Sequence, residues 1–288
     1  MRWGDLRRSG NVEDRRGMGG GGGGGFRGGG LGIGGLIIVG LLAWATGIDP
    51  RIILGGLEMV QGQNPGGAQV EGKQGTPTDE TGQFVSSVLG STEDVWTQIF
   101  TQNGQSYKQP RLVLFSGATP SACGMGQAAM GPFYCPPDQR VYLDTSFFKE
   151  MERRFNAPGD FASAYVVAHE VGHHVQNLMG IMDKVQQERQ RVSRSASNEL
   201  SVRTELQADC FAGVWAHHTK QSLEAGDIEE ALQAATAIGD DKIQKQTQGT
   251  VVPDSFTHGS SAQRVRWFKT GFESGQVRSC NTFAATDL

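Results

Sequence analysis

The run from Ala164 to Leu178, with His169, Glu170, His173 and His174 set among Tyr165, Val166, Val167, Ala168, Val171 and Val175, restricts this chain more than any other stretch. Its apolar residues are too continuous for a surface helix, so the segment is expected to be a buried helix. Histidines and a carboxylate inside a buried helix need partners that offset the loss of water. Positions i and i+4 lie on one helical face, about a turn apart. His169 and His173 can therefore aim two ring nitrogens at one point, as two ligands of a tetrahedral zinc do. Glu170 projects roughly 100° further round the axis, near that point and off it. That is the place for a general base acting on a water activated at the metal.

Two histidines do not complete a zinc site; a third protein ligand is needed. The segment 198–218 reads as a second helix, in which Glu205 and Asp209 share a face with Val202, Leu206, Phe211 and Ala212. Glu205 is the expected third ligand, and Asp209 the expected acceptor for the outward nitrogen of a ligand histidine. The plainer alternative is a pair of acids favoured by the dipole of the helix's first turns.

His-Glu-x-x-His followed by Glu-x-x-x-Asp resembles the gluzincin metallopeptidases. The wording around both motifs, His-Glu-Val-Gly-His-His-Val-Gln from His169 and Glu-Leu-Gln-Ala-Asp-Cys-Phe-Ala-Gly from Glu205, is similar to that of a bacterial neutral zinc metallopeptidase family. The resemblance extends to Tyr134–Asp144, to Asp254–Val265 and to the opening residues Met1–Arg16. It implies a membrane-anchored zinc endopeptidase acting on peptide or protein substrates. The fold it implies is a mostly helical α+β, zincin-like domain with a small sheet and the site between the two motif helices. By the same resemblance His258, in a loop before a late amphipathic helix, is the candidate donor to the oxyanion. Arg264 on that helix would orient nearby groups; the alternative is that both residues stabilise the fold, for example through a salt bridge between Arg264 and a core acid.

The formal net charge is −4, but residues 1–30 hold six arginines against three acids, which leaves the rest at −7. An acidic body without a basic stripe argues against nucleic acid as a partner. Residues 1–16 lack apolar periodicity and are expected to be a disordered cytoplasmic arm, joined to a flexible glycine tract up to residue 30. The Gly-x-Gly-x-x-Gly matches inside that tract say nothing of nucleotides, since no strand precedes them and no helix is opened by them.

Leu31–Ile48 carries no charge and at 1.5 Å per residue would span roughly 27 Å. It is expected to be a single transmembrane anchor, and the arginine excess before it puts the N-terminus inside and the body outside. That arrangement corresponds to the bacterial cytoplasmic membrane, with the catalytic domain on the periplasmic side. A signal peptide cut after Ala43-Trp44-Ala45 and a core helix are the two alternatives. Residues 49–82 would then be a linker and 83–288 the peptidase domain. If the domain is exported, the four cysteines are expected to pair as Cys123–Cys135 and Cys210–Cys280; in the cytoplasm they would be reduced thiols.

Within the body, Phe84–Phe100 should give one kinked or two short helices, and Arg111–Phe115 a strand. Phe133–Leu143 should form a hairpin around Pro136-Pro137-Asp138, either an ordinary hairpin or the edge that aligns a substrate strand. Thr145–Phe155 should be a helix capped by Thr145, and Asp160 should cap the histidine helix. Residues 183–194 and 227–246 complete the expected helices. His217 and His218 lie too far along their helix to share the metal, and His174 points away from it. Two rivals remain for the function: an amide or ester hydrolase with the same zinc chemistry, and a non-catalytic envelope protein with a vestigial site.

Overall fold

The computed structural model describes residues 1–17, 72–153 and 156–288. Leu31–Ile48, the glycine tract and most of the expected linker lie outside these residues, so the anchor has no structural counterpart to report. Among the described residues no helix is long and apolar enough to cross a membrane.

The histidine run forms the central helix. It spans Asp160–Leu178, and every residue from Phe161 to Gln176 is buried, which accounts for its nearly unbroken apolar character. In chain order the helices are α1 (Glu80–Gln102), α2 (Ser146–Arg153), α3 (Asp160–Leu178), α4 (Ile181–Arg189), α5 (Arg194–His218), α6 (Asp227–Ala237), α7 (Asp240–Gln248) and α8 (Ser261–Ser274). Strands β1 (Val12–Asp14), β2 (Lys73–Gln74), β3 (Arg111–Phe115), β6 (Phe133–Cys135) and β7 (Arg140–Asp144) form a mixed sheet in the order β2-β1-β3-β7-β6. A separate hairpin joins β4 (Ala118–Ser121) to β5 (Gly124–Gln127). The fold is thus mostly helical α+β with a small sheet.

Helix α3 packs against α1, α5 and α6 and against the β6–β7 end of the sheet. Helix α5 is clasped from the other side by α8. There the backbones touch: a Cβ on Gly213 would lie 2.1 Å from the Phe268 carbonyl oxygen, and one on Gly271 1.9 Å from that of Cys210. The same contact region is stapled by the Cys210–Cys280 disulfide, and Cys123–Cys135 ties the β4–β5 turn to β6. Both pairings are the expected ones.

Several expectations change. Residues 1–16 are ordered, and β1 lies inside the sheet, parallel to β3 with Val12 opposite Leu112 and Asp14 opposite Leu114. Composition misled because Arg7, Glu13, Arg15 and Arg16 have partners far along the chain. Glu13, 1 % exposed, accepts from Arg15 at 2.7 Å, from Arg140 at 3.2 Å and from the Gly72 amide at 2.9 Å. Arg7 reaches Glu93 and Asp94 of α1, each at 2.8 Å. The segment crosses α1 at its small residues: Ser9 N–H donates to the Ser86 carbonyl, and a Cβ on Gly90 would meet the Arg7 carbonyl oxygen at 2.2 Å. The folded body therefore comprises 1–17 together with 72–288, rather than 83–288 alone.

Helix α1 is one helix, capped by the Asp79 carboxylate on the Gly82 amide. Helix α3 starts on Gly159 without a side-chain cap. Asp160 instead accepts from the Met1 ammonium at 2.7 Å, as does Asp227 at 3.1 Å. The start of α2 is served by Asp144, which accepts from the Ser146 amide, and not by Thr145. The single helix expected over 227–246 is two, α6 and α7, broken at Ile238-Gly239. Gly239 is required there, since a Cβ would lie 2.5 Å from the Ser261 nitrogen.

Candidate metal centre

His169 and His173 project from one face of α3 toward Glu205 of α5. The two helices approach closely where Gly172 faces Ala208: a Cβ on Gly172 would be 3.0 Å from the Ala208 carbonyl oxygen. His169 Nε2 lies 3.2 Å and His173 Nε2 3.5 Å from the same oxygen, Glu205 Oε2. One ligand atom from each of the three residues falls within 4.8 Å of the other two.

The outward ring nitrogens decide what that point holds. His169 Nδ1 is 2.8 Å from Asp209 Oδ1, and a carboxylate beside Arg264 is an acceptor, so Nδ1 carries the hydrogen. His173 Nδ1 is 2.8 Å from Gln176 Oε1. The Gln176 amide is oriented by donating from Nε2 to the Thr204 carbonyl at 2.7 Å and to Gln207 Oε1 at 3.0 Å. Gln207 in turn donates to the Cys280 carbonyl at 2.9 Å. With Nδ1 donating on both rings, both Nε2 atoms present lone pairs to a carboxylate oxygen. Three acceptors converging on one point suit a cation between them, a metal ion or a proton. Two imidazoles and one carboxylate suit zinc.

Electrostatics agree. Burial pushes the His169 imidazole down, but the Asp209 and Glu205 carboxylates together lift the ring to about 10. Burial likewise opposes the Glu205 carboxylate, and His173 and His169 hold it well below the usual range. The centre attracts positive charge strongly. Asp209, itself wholly buried, is kept ionised against its burial by Arg264 and His169. Arg264 donates from Nε to Oδ2 and from Nη2 to Oδ1, both at 2.9 Å. Tyr165 OH donates to Oδ1 as well.

Glu170 is buried beside the two histidines, and burial raises its carboxyl above the ordinary value. His258 stands in the loop before α8 with its side chain 45 % exposed and its Nδ1 3.3 Å from Asp240 Oδ1. Asp240 Oδ2 accepts the amides of Thr257, His258 and Gly259 at 2.7, 2.6 and 3.1 Å, so the break between α6 and α7 shapes this loop. His258 is close enough to Glu205 for their charges to interact. His174 turns away: its Nε2 is 2.6 Å from the Lys108 carbonyl and its Nδ1 3.0 Å from Tyr134 OH. His217 and His218 bond the Phe272 and Gly275 carbonyls at the end of α8.

Gln176, Gln207, Tyr165 and Asp240 were not among the expected site residues. Gln176 follows His173 by three positions and Tyr165 precedes His169 by four, spacings that share a helical face. Asp240 gives no such signal, because only the tertiary fold brings it to His258.

The comparisons with known proteins follow the same lines. The model of the family described as "Putative neutral zinc metallopeptidase" matches residues 1–283. The chain is 54% identical over 291 residues to "Uncharacterized protein YpfJ" of Escherichia coli K12, covering 98% of this chain and 99% of that protein. It is 44% identical over 211 residues to "Uncharacterized protein Rv2575" of Mycobacterium tuberculosis H37Rv, covering 69% of each. No solved structure matches. A family match over nearly the whole length, with both motif helices inside it, makes this chain a member of the neutral zinc metallopeptidase family.

Proposed function

We propose that the chain is a zinc-dependent endopeptidase, with His169, His173 and Glu205 as metal ligands and Glu170 as general base. The observation that carries this reading is the convergence of two ring nitrogens on Glu205 Oε2, with both opposite nitrogens committed to fixed acceptors. Zinc at that point would supply Lewis acidity to a substrate carbonyl and make a water acidic near neutral pH.

The side chains supply the rest. Glu170 takes the proton from the attacking water and returns it to the departing amine. Its raised affinity for a proton suits it to both halves of that exchange. His258, steered by Asp240, is the donor assigned to the developing oxyanion. Strand β6 forms one edge of the sheet and is bonded to α3 through Tyr134 OH, which meets His174 and Asn177. An extended peptide added along that edge would lie beside the histidine helix. A retained Glu170 also speaks against a vestigial site, since a purely structural zinc has no use for a base.

The test uses the purified chain, stripped with a chelator and reloaded with zinc, on an unfolded protein and on a set of small amides and esters. Zinc-restored cleavage of the unfolded protein supports the peptidase. Turnover confined to the small compounds would favour the amidohydrolase. Absence of turnover on both would leave the non-catalytic alternative in front.

A further inference from the structure

The N-terminal segment has a topological consequence. Strand β1 lies between β2 and β3 in the interior of the sheet, and its Val12 is fully buried. The chain is last described at residue 17, beyond β1, and is next described at Gly72, whose amide bonds Glu13 of that same strand. Residues 1–17 and 72–288 are therefore parts of one folded body. A segment that crossed a bilayer once between residues 17 and 72 would put β1 and its parallel partner β3 on opposite sides. That is incompatible with a shared hydrogen-bond ladder.

The arginine excess that suggested an inward N-terminus has another explanation. Arg7 is paired with Glu93 and Asp94, Arg15 with Glu13, and Arg16 with Asp14 and Asp79. Arg7 and Arg16 tie the segment to the body through Glu93, Asp94 and Asp79, so this bias need not report topology. Among the described residues all four cysteines are in disulfides, and structural disulfides persist in oxidising compartments. We propose that residues 1–17 and 72–288 lie together on the extracytoplasmic side of the membrane. This replaces the single-pass arrangement, and it does not rest on the peptidase reading.

Variants of the full chain that each add one cysteine, made in bacterial cells, test it. At Gly4 and Gly10 a Cβ would meet nothing within 4 Å, and Lys245 is an exposed residue of α7. Gly4→Cys, Gly10→Cys and Lys245→Cys would be treated in spheroplasts with a membrane-impermeant maleimide, before and after permeabilisation. The parent chain, with its native thiols paired, should remain unlabelled. Labelling of all three variants before permeabilisation is the expected result. Protection of the N-terminal sites while Lys245→Cys labels, or the reverse, would overturn the shared-side topology. Protection of all three until permeabilisation would overturn the extracytoplasmic placement, as would parent thiols that label only after permeabilisation.

Discussion

Asp209 and Arg264, 55 residues apart, meet through two parallel 2.9 Å bonds, Nε to Oδ2 and Nη2 to Oδ1. The arginine is 2 % exposed and the aspartate fully buried. The aspartate's Oδ1 also orients His169. The pair therefore joins α8 to the metal-facing side of α3. Removing one partner of such a pair leaves an uncompensated buried charge, which costs about 3–5 kcal/mol. Arg264→Ala should accordingly lower the unfolding midpoint in urea, with zinc affinity falling in the protein that remains folded. An unchanged midpoint would show that the pair does not hold α8 in place.

Gln176 sets which nitrogen of His173 is bare. Losing a hydrogen-bond partner of a ligand histidine typically weakens metal binding 10–100-fold. Gln176→Ala should show a loss of that size in competition with a chromophoric chelator, while far-ultraviolet circular dichroism keeps its helical signal. Unaltered affinity would mean that the ring is oriented without it.

Gly172 permits the close approach of α3 to α5. A valine there would push against the Ala208 backbone, and overpacking of this kind costs about 1–3 kcal/mol. Gly172→Val should both destabilise the protein and weaken zinc binding, because the displaced helix carries Glu205. Loss of stability with full zinc affinity would separate the helix spacing from the site.

His174 gives a pH signature. Burial depresses its imidazole from 6.5 to about 4, so between these values the unfolded chain binds a proton that the folded one refuses. Stability is then complete above pH 6.5, falls as pH drops and levels off below about 4. The slope this group adds approaches about 1.4 kcal/mol per pH unit. Urea midpoints for the chain and for His174→Gln should converge as the pH is lowered through this window. Parallel pH profiles would contradict the assignment of a neutral, buried ring.

The sequence made the candidate centre legible because its residues obey local helical spacing: His169 and His173 on one helix, Glu205 and Asp209 on another. The Phe133–Leu143 hairpin and Arg111–Phe115 strand were equally local. What escaped was long-range. The strand at Val12–Asp14 is only three residues long, and its flanking charges resemble a solvated arm until Glu93, Arg140 and Asp79 are brought to it. Ser86 and Gly90, among the buried apolar residues of α1, were the faint trace of that crossing. The break at Gly239 was also missed, since helical composition continues through it and only the neighbouring α8 backbone demands a glycine. Asp240's hold on His258 follows from that break.

The most direct measurement compares the chain with its Glu170→Gln variant for zinc content and for cleavage of an unfolded protein in the same preparations. The expected result is one zinc per chain in both, with cleavage in the parent and its loss in the variant. A parent that binds no zinc, or a variant that cleaves as well as the parent, would contradict the assignment of this site as a zinc peptidase centre with Glu170 as its base.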